Sequence, residues 1–148
     1  MAYNRKKHLQ ENVLAIRTAF ELNESEEQPT PEQLEILSRY SGFGGLKCIL
    51  KPCEGSADRD SWNKSDRDLF DDTALLHREV KKHSGSEDGY KSYMDSLKHS
   101  VLSAFYTPVE VTDAIARTLH SLQIKAGTVL DPSAGTGAFA GSFGIFKA

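Results

Sequence analysis

Residues Thr128 to Phe139 read Thr-Val-Leu-Asp-Pro-Ser-Ala-Gly-Thr-Gly-Ala-Phe, and no other stretch limits the fold as much. A short run with β-branched residues, ending in an acid and a proline, predicts a strand over Thr128–Asp131. Gly135 and Gly137 permit a tight turn and a close backbone approach, and a helix is expected from about Thr136. The spacing Gly135-Thr136-Gly137-Ala138-Phe139-Ala140 fits a dinucleotide fingerprint whose third glycine is alanine. A turn of this kind, at the carboxyl end of a strand and the start of a helix, suits a nucleotide-like cofactor. The amides that open the helix face such a ligand with partial positive charge.

Asp131 discriminates between cofactors. It stands where a dinucleotide would bring its pyrophosphate, and two like charges about 4 Å apart cost about 4 kcal/mol at an effective dielectric near 20. S-adenosylmethionine carries an ammonium and a sulfonium beside its carboxylate, so the helix start can take the carboxylate while Asp131 attracts the cationic part. The expected cofactor is therefore S-adenosylmethionine. The competing reading is an ordinary strand-to-helix turn in which Asp131 or Ser133 caps the helix.

Upstream, the pattern is helical. Leu9, Val13, Ile16 and Phe20 make one apolar stripe, and the acidic run Glu21 to Gln28 reads as a loop. Thr30-Pro31-Glu32-Gln33 predicts a helix start with a capping box, with Leu34 and Leu37 opening its buried face and an end near Tyr40. Ser41-Gly42-Phe43-Gly44-Gly45 breaks the pattern, and Lys51 to Ser65 reads as irregular. Leu69, Leu75, Leu76 and Val80 predict another helix. Ser84 to Gly89 reads as a turn, and Tyr90, Tyr93, Leu97 and Val101 predict a further helix. Thr107-Pro108-Val109-Glu110 repeats the capping signature ahead of a stripe of Val111, Ile115, Leu119 and Leu122, and Ala126-Gly127 closes that helix.

The chain has 148 residues, a net charge of −3, 39% apolar and 26% charged residues. That balance excludes the strongly basic footprint of a module gripping nucleic acid unaided, and no apolar run reaches membrane-spanning length. No secretory signal is visible at the start, so the expected compartment is the cytoplasm and no membrane partner is expected. Cys48 and Cys53 lack an ordered histidine partner and read as packing thiols. Arg5-Lys6-Lys7-His8 and Lys81-Lys82-His83 read as solvated helix ends, Gly42 to Gly45 as a turn, and Trp62 and Tyr90 as core aromatics.

Asp131-Pro132-Ser133-Ala134-Gly135-Thr136-Gly137-Ala138-Phe139 resembles motif I of adenine-specific DNA methyltransferases. Ala104-Phe105-Tyr106-Thr107-Pro108 resembles their motif X, which precedes motif I by a helix in the group that includes type I modification subunits. Ser41 to Lys47 and Ser96 to Leu102 resemble the amino-terminal part of large DNA methylases carried on bacterial conjugative elements. The resemblance implies that Tyr106 and Thr107 line the pocket for S-adenosylmethionine and that Asp131 contacts its amino acid part. It also implies that Gly135 and Gly137 pass beneath the cofactor, with Ser133 and Phe139 nearby. Thr107 has a competing role as the cap of the helix that begins at Pro108, and Tyr106 as a core aromatic.

The family's Asn/Asp-Pro-Pro-aromatic loop, which holds the flipped adenine, does not occur in these residues, and no acid follows Asp131 to take ribose hydroxyls. The expected architecture is mainly α: a helical region over 1–103, then over 104–148 the first β-α step of an incomplete Rossmann-like methyltransferase domain. The expected activity is methyl transfer from S-adenosylmethionine to the exocyclic amine of adenine in DNA, by a longer protein of which this is the inactive amino-terminal part. DNA is the expected partner. A strand left with open edges, with Phe139, Phe143, Ile145 and Phe146 lacking partners, further predicts either a fraying tail or a homodimer through it. The alternatives are a non-catalytic helical module that binds DNA or protein, and a methyltransferase acting on RNA or protein.

Overall fold

The buried apolar side chains trace one core, and every one among the described residues lies between Leu9 and Ala104. The computed structural model describes residues 4–124, 128–132, 134–135 and 137–144. The chain divides into two units, Met1–Phe105 and Tyr106–Ala148. Among the described residues the fold is mainly helical and contains no strand.

In the first unit, α1 (Arg5–Ser25) is capped by Asn4, whose side chain accepts from the Lys7 amide at 3.0 Å. It buries Leu9 and Val13 of the predicted stripe, packs the half-buried Ile16 and Phe20 against the core, and also buries Ala15. The helix runs through half of the acidic segment expected to be a loop. An Arg17–Glu21 pair at 2.9 Å spans one turn there, and only at Glu26, with φ 55°, does the backbone leave the helix. The left-handed Glu26 returns its amide to the Leu22 carbonyl.

α2 (Pro31–Ser38) begins with the predicted capping box: the Gln33 amide donates to Thr30 Oγ1 at 3.2 Å, and the Thr30 amide to Gln33 Oε1 at 2.9 Å. Its face is less buried than expected, with Leu34 53% exposed and Leu37 half-buried. The segment expected to be irregular contains α3 (Ser56–Ser61). There Asp58 accepts from the amides of Glu54 and Gly55, giving a short helix a start that glycine cannot supply. α4 (Phe70–His83) and α5 (Glu87–Ser103) are the predicted helices, burying Leu76, Val80, Leu97 and Val101. α5 starts inside the expected turn because Ser86 accepts from the Gly89 amide at 3.0 Å.

The break between α2 and a 3₁₀ turn at Lys47–Leu50 is drawn into the core from both sides. Buried Asn12 donates to the Gly42 carbonyl and accepts from the Ser41 amide at 2.9 Å. His8 reaches the same carbonyl at 2.8 Å. From α5, Ser100 accepts from the Phe43 amide at 3.1 Å, and the Val101 carbonyl accepts from Gly45. A Cβ on Gly44 would sit 2.2 Å from the Ala104 carbonyl oxygen, so only glycine fits there.

In the second unit, α6 (Val109–Ser121) and α7 (Ala138–Ser142) pack together. Buried Thr112 donates to the Val109 carbonyl and accepts from Ser142 Oγ at 2.7 Å. α6 closes before the predicted Gly127, which lies outside the described residues. Gln123 takes φ 56°, its amide bonds to His120 and that of Ile124 to Leu119.

Three expectations fail in this unit. Thr128–Asp131 is not a strand. A strand is defined by a neighbouring strand, and there is none among the described residues; Leu130 is 86% exposed. Thr107 does not cap α6: the helix starts one residue later than expected, Pro108 occupies the capping position, and no side chain bonds to the first amides. The α6 stripe is not buried, since Val111, Ile115 and Leu122 are all exposed. Among the described residues no helix is long and apolar enough to cross a membrane.

Candidate functional site

The glycine turn is built by its own backbone. Gly135 has φ 56° and Gly137 φ 80°, both in the left-handed region where a Cβ crowds the next carbonyl oxygen. The Gly137 amide closes the turn onto the Ala134 carbonyl at 2.8 Å, and the Gly137 carbonyl accepts from Gly141, starting α7. The predicted helix thus forms, with Gly137 as its cap residue. A Cβ at Gly137 would meet no atom within 4 Å, so open space lies against the backbone at this point.

Phe139 sits in the first turn of α7 and stacks on Phe143, with ring centroids 6.4 Å apart and planes 16° from parallel. The contact spans one helical turn and is local. Asp131, half-buried, precedes the turn, and its Oδ2 is shielded from solvent. Ser133 and Thr136 lie outside the described residues. Tyr106 and Thr107 are exposed and stand just ahead of α6. Along the chain, the expected site residues that are described fall into two stretches, Asp131, Gly135, Gly137 and Phe139 at the turn and the start of α7, and Tyr106 and Thr107 ahead of α6.

A cavity of about 550 Å³ lies in the same unit, lined by Leu119, Ile124, Val129 and Phe143, with Arg117 and His120 among the polar lining groups. Among the described residues, none of the predicted site residues lines it, nor the shallower groove of about 420 Å³ along α6. Arg117, His120 and Thr112 did not stand out in the sequence. Thr112 carried a usable signal, as a hydroxyl one position after Val111 in the apolar arc of α6.

The chain matches no protein-family model, no curated protein and no solved structure.

The first unit holds its titratable groups in structural roles. Both thiols are free and buried; burial pushes Cys48 up and, helped by nearby Asp58 and Glu54, takes Cys53 up to about 11. Such thiols are poor nucleophiles at neutral pH. Trp62 is buried against Phe70 and donates to the Pro52 carbonyl at 2.9 Å. Tyr90 is half-buried, and its hydroxyl lies 3.3 Å from His77 Nδ1. Among the described residues no group of three His, Cys, Asp or Glu side chains could hold a metal ion.

Proposed function

We propose that the chain is the amino-terminal part of an adenine-specific DNA methyltransferase that uses S-adenosylmethionine. One observation carries this reading: Gly135 and Gly137 both adopt left-handed backbone conformations, one turn after Asp131, with open space against Gly137. At Gly137 the turn offers its backbone to a ligand, since a Cβ there would meet nothing within 4 Å. Asp131 supplies a carboxylate for the ammonium and sulfonium end of the cofactor and repels a pyrophosphate. Phe139, held against Phe143, gives the turn an apolar flank. Bound there, S-adenosylmethionine supplies an activated methyl group. The Phe105-Tyr106-Thr107-Pro108 element ahead of α6 supports the family assignment through its order and spacing to the turn.

The acceptor is inferred from the family resemblance, since the turn reports the cofactor and not the base. The 148 residues contain no adenine-holding loop, so methylation belongs to a longer protein. A second reading, a non-catalytic helical module that binds DNA or protein, draws on the finding that Thr128–Asp131 pairs with no described strand.

Calorimetric titration separates them. Saturable binding of S-adenosylmethionine, weakened at least about tenfold by Asp131→Ala, is expected, with no binding of NAD. Tight NAD binding without S-adenosylmethionine binding would overturn the proposal.

A further inference from the structure

His83 is the last residue of α4, yet its side chain is only 2% exposed. The ring lies flat on Phe20 of α1, with centroids 4.6 Å apart and planes 10° from parallel. Nδ1 stands 2.6 Å from Oε1 of Glu24, in the last turn of α1. Nε2 stands 3.7 Å from Oε2 of Glu79, one turn earlier on α4. α1 and α4 pack against each other, and near their starts Gln10 donates to the Asp72 carboxylate. His83 therefore joins the far ends of the same helix seam.

The two contacts are unequal. The one to Glu24 has hydrogen-bond length. Nε2 and the Glu79 oxygen are both shielded from solvent, and among the described residues neither has a hydrogen-bond partner. Buried polar atoms left unpaired are uncommon and call for a cause. Neutral imidazole has one N–H, and the short contact to Glu24 takes it. Nε2 then turns a lone pair toward a carboxylate oxygen, and two acceptors repel. The imidazolium has two N–H groups, one for each carboxylate. Neighbouring groups do not supply the missing donor. Arg17 on α1 bonds Glu21 at 2.9 Å, and only its field reaches Glu79. Tyr93 on α5 meets the Phe20 ring edge to face.

We infer that His83 is a proton-operated latch on the seam between α1 and α4. Doubly protonated, it holds Glu24 and Glu79 at once. On losing a proton it keeps Nδ1–H on Glu24 and releases Glu79 toward solvent. Protonation closes the latch, so the seam is tightest on the acid side of the ring's titration and loosens as the pH rises through it. The inference is independent of the methyltransferase reading.

Proton–nitrogen spectra of the 148-residue chain carrying isotope-labelled histidine test it between about pH 5 and 9. The acid form should show both His83 nitrogens protonated, and the alkaline form should keep its proton on Nδ1. Hydrogen exchange, corrected for the intrinsic rate at each pH, reads the latch itself. The amides of residues 23–26 should lose about threefold or more of their protection as the ring loses its proton. In Glu79→Gln the side-chain amide can donate to the neutral ring, so this protection should no longer follow pH. His83→Gln should abolish the response as well, with wild-type helix content by circular dichroism. A neutral ring with its proton on Nε2 overturns the inference. So does exchange at residues 23–26 that ignores the ring's titration in the wild type, or a pH response that survives either substitution.

Discussion

The two units solve the same problem in opposite ways. Residues up to Phe105 gather Leu9, Phe43, Ile49, Leu76 and Val101 into one buried cluster, and the side chains of Asn12 and Ser100 tie the 41–43 backbone to it. Beyond Tyr106 the only described residue that is buried is Thr112, a polar one, while Val111, Ile115, Val129 and Leu130 face solvent. Stability in the first unit therefore comes from a core held by long-range contacts. In the second it rests on local turns, one hydroxyl pair between α6 and α7, and whatever covers the exposed faces.

Substitutions should separate the units by size of effect. Gly44→Ala is expected to be the most damaging. Its methyl group would sit 2.2 Å from the Ala104 carbonyl oxygen, a backbone atom that cannot swing aside, and the cost should reach about 3 kcal/mol, seen as a large fall in the denaturation midpoint. Leu76→Ala should cost a similar amount, about 2–5 kcal/mol, by leaving a cavity in the same core. Asn12→Ala should cost about 2 kcal/mol, since a fully buried side chain that bonds both the Gly42 carbonyl and the Ser41 amide is lost. A small effect at all three sites would mean that the first unit is not the stability centre. Gly137→Ala meets no steric obstacle, so only the left-handed backbone penalises it, by about 1 kcal/mol. That loss should appear in hydrogen exchange around α7 and leave α1, α4 and α5 unchanged.

The smallest effect is electrostatic. Burial pushes the Asp66 carboxyl up, but hydrogen bonds from Arg5 at 2.9 Å and Lys51 at 3.4 Å outweigh it and hold the group below the ordinary carboxylate range. Its contribution is therefore complete above the unfolded carboxylate's value and is lost as the pH falls through the lowered one. Asp66→Asn should cost less than about 1 kcal/mol at neutral pH, with the gap to wild type closing in acid. A gap that widens in acid would contradict this sign.

How much was legible in the sequence follows the same division between local and distant partners. The Thr30 box needed only Pro31 and Gln33, and it forms as read. The left-handed glycines at 135 and 137 likewise needed only their own backbones. Thr107 and Pro108 show the limit of local reading, because a start displaced by one residue removes the hydroxyl from the capping position. The strand at 128–131 failed for a different reason: β-branched residues express a preference, but a neighbouring strand must realise it. The α6 stripe revealed that a face exists without saying what covers it. Asn12, between Leu9 and Val13 on the buried stripe, was the missed signal in the first unit. A polar side chain in that register needs a buried backbone partner, and the Ser41–Gly42 break supplies one.

Amide chemical-shift mapping of the isotope-labelled chain during titration with S-adenosylmethionine tests the cofactor site most directly. Saturable shifts should concentrate at the amides of Asp131, Gly135, Gly137 and Phe139, while those of Phe43, Leu76 and Val101 in the closed core stay in place. Shifts confined to the first unit, or none at millimolar cofactor, would contradict the assignment of this turn as a receptor for S-adenosylmethionine.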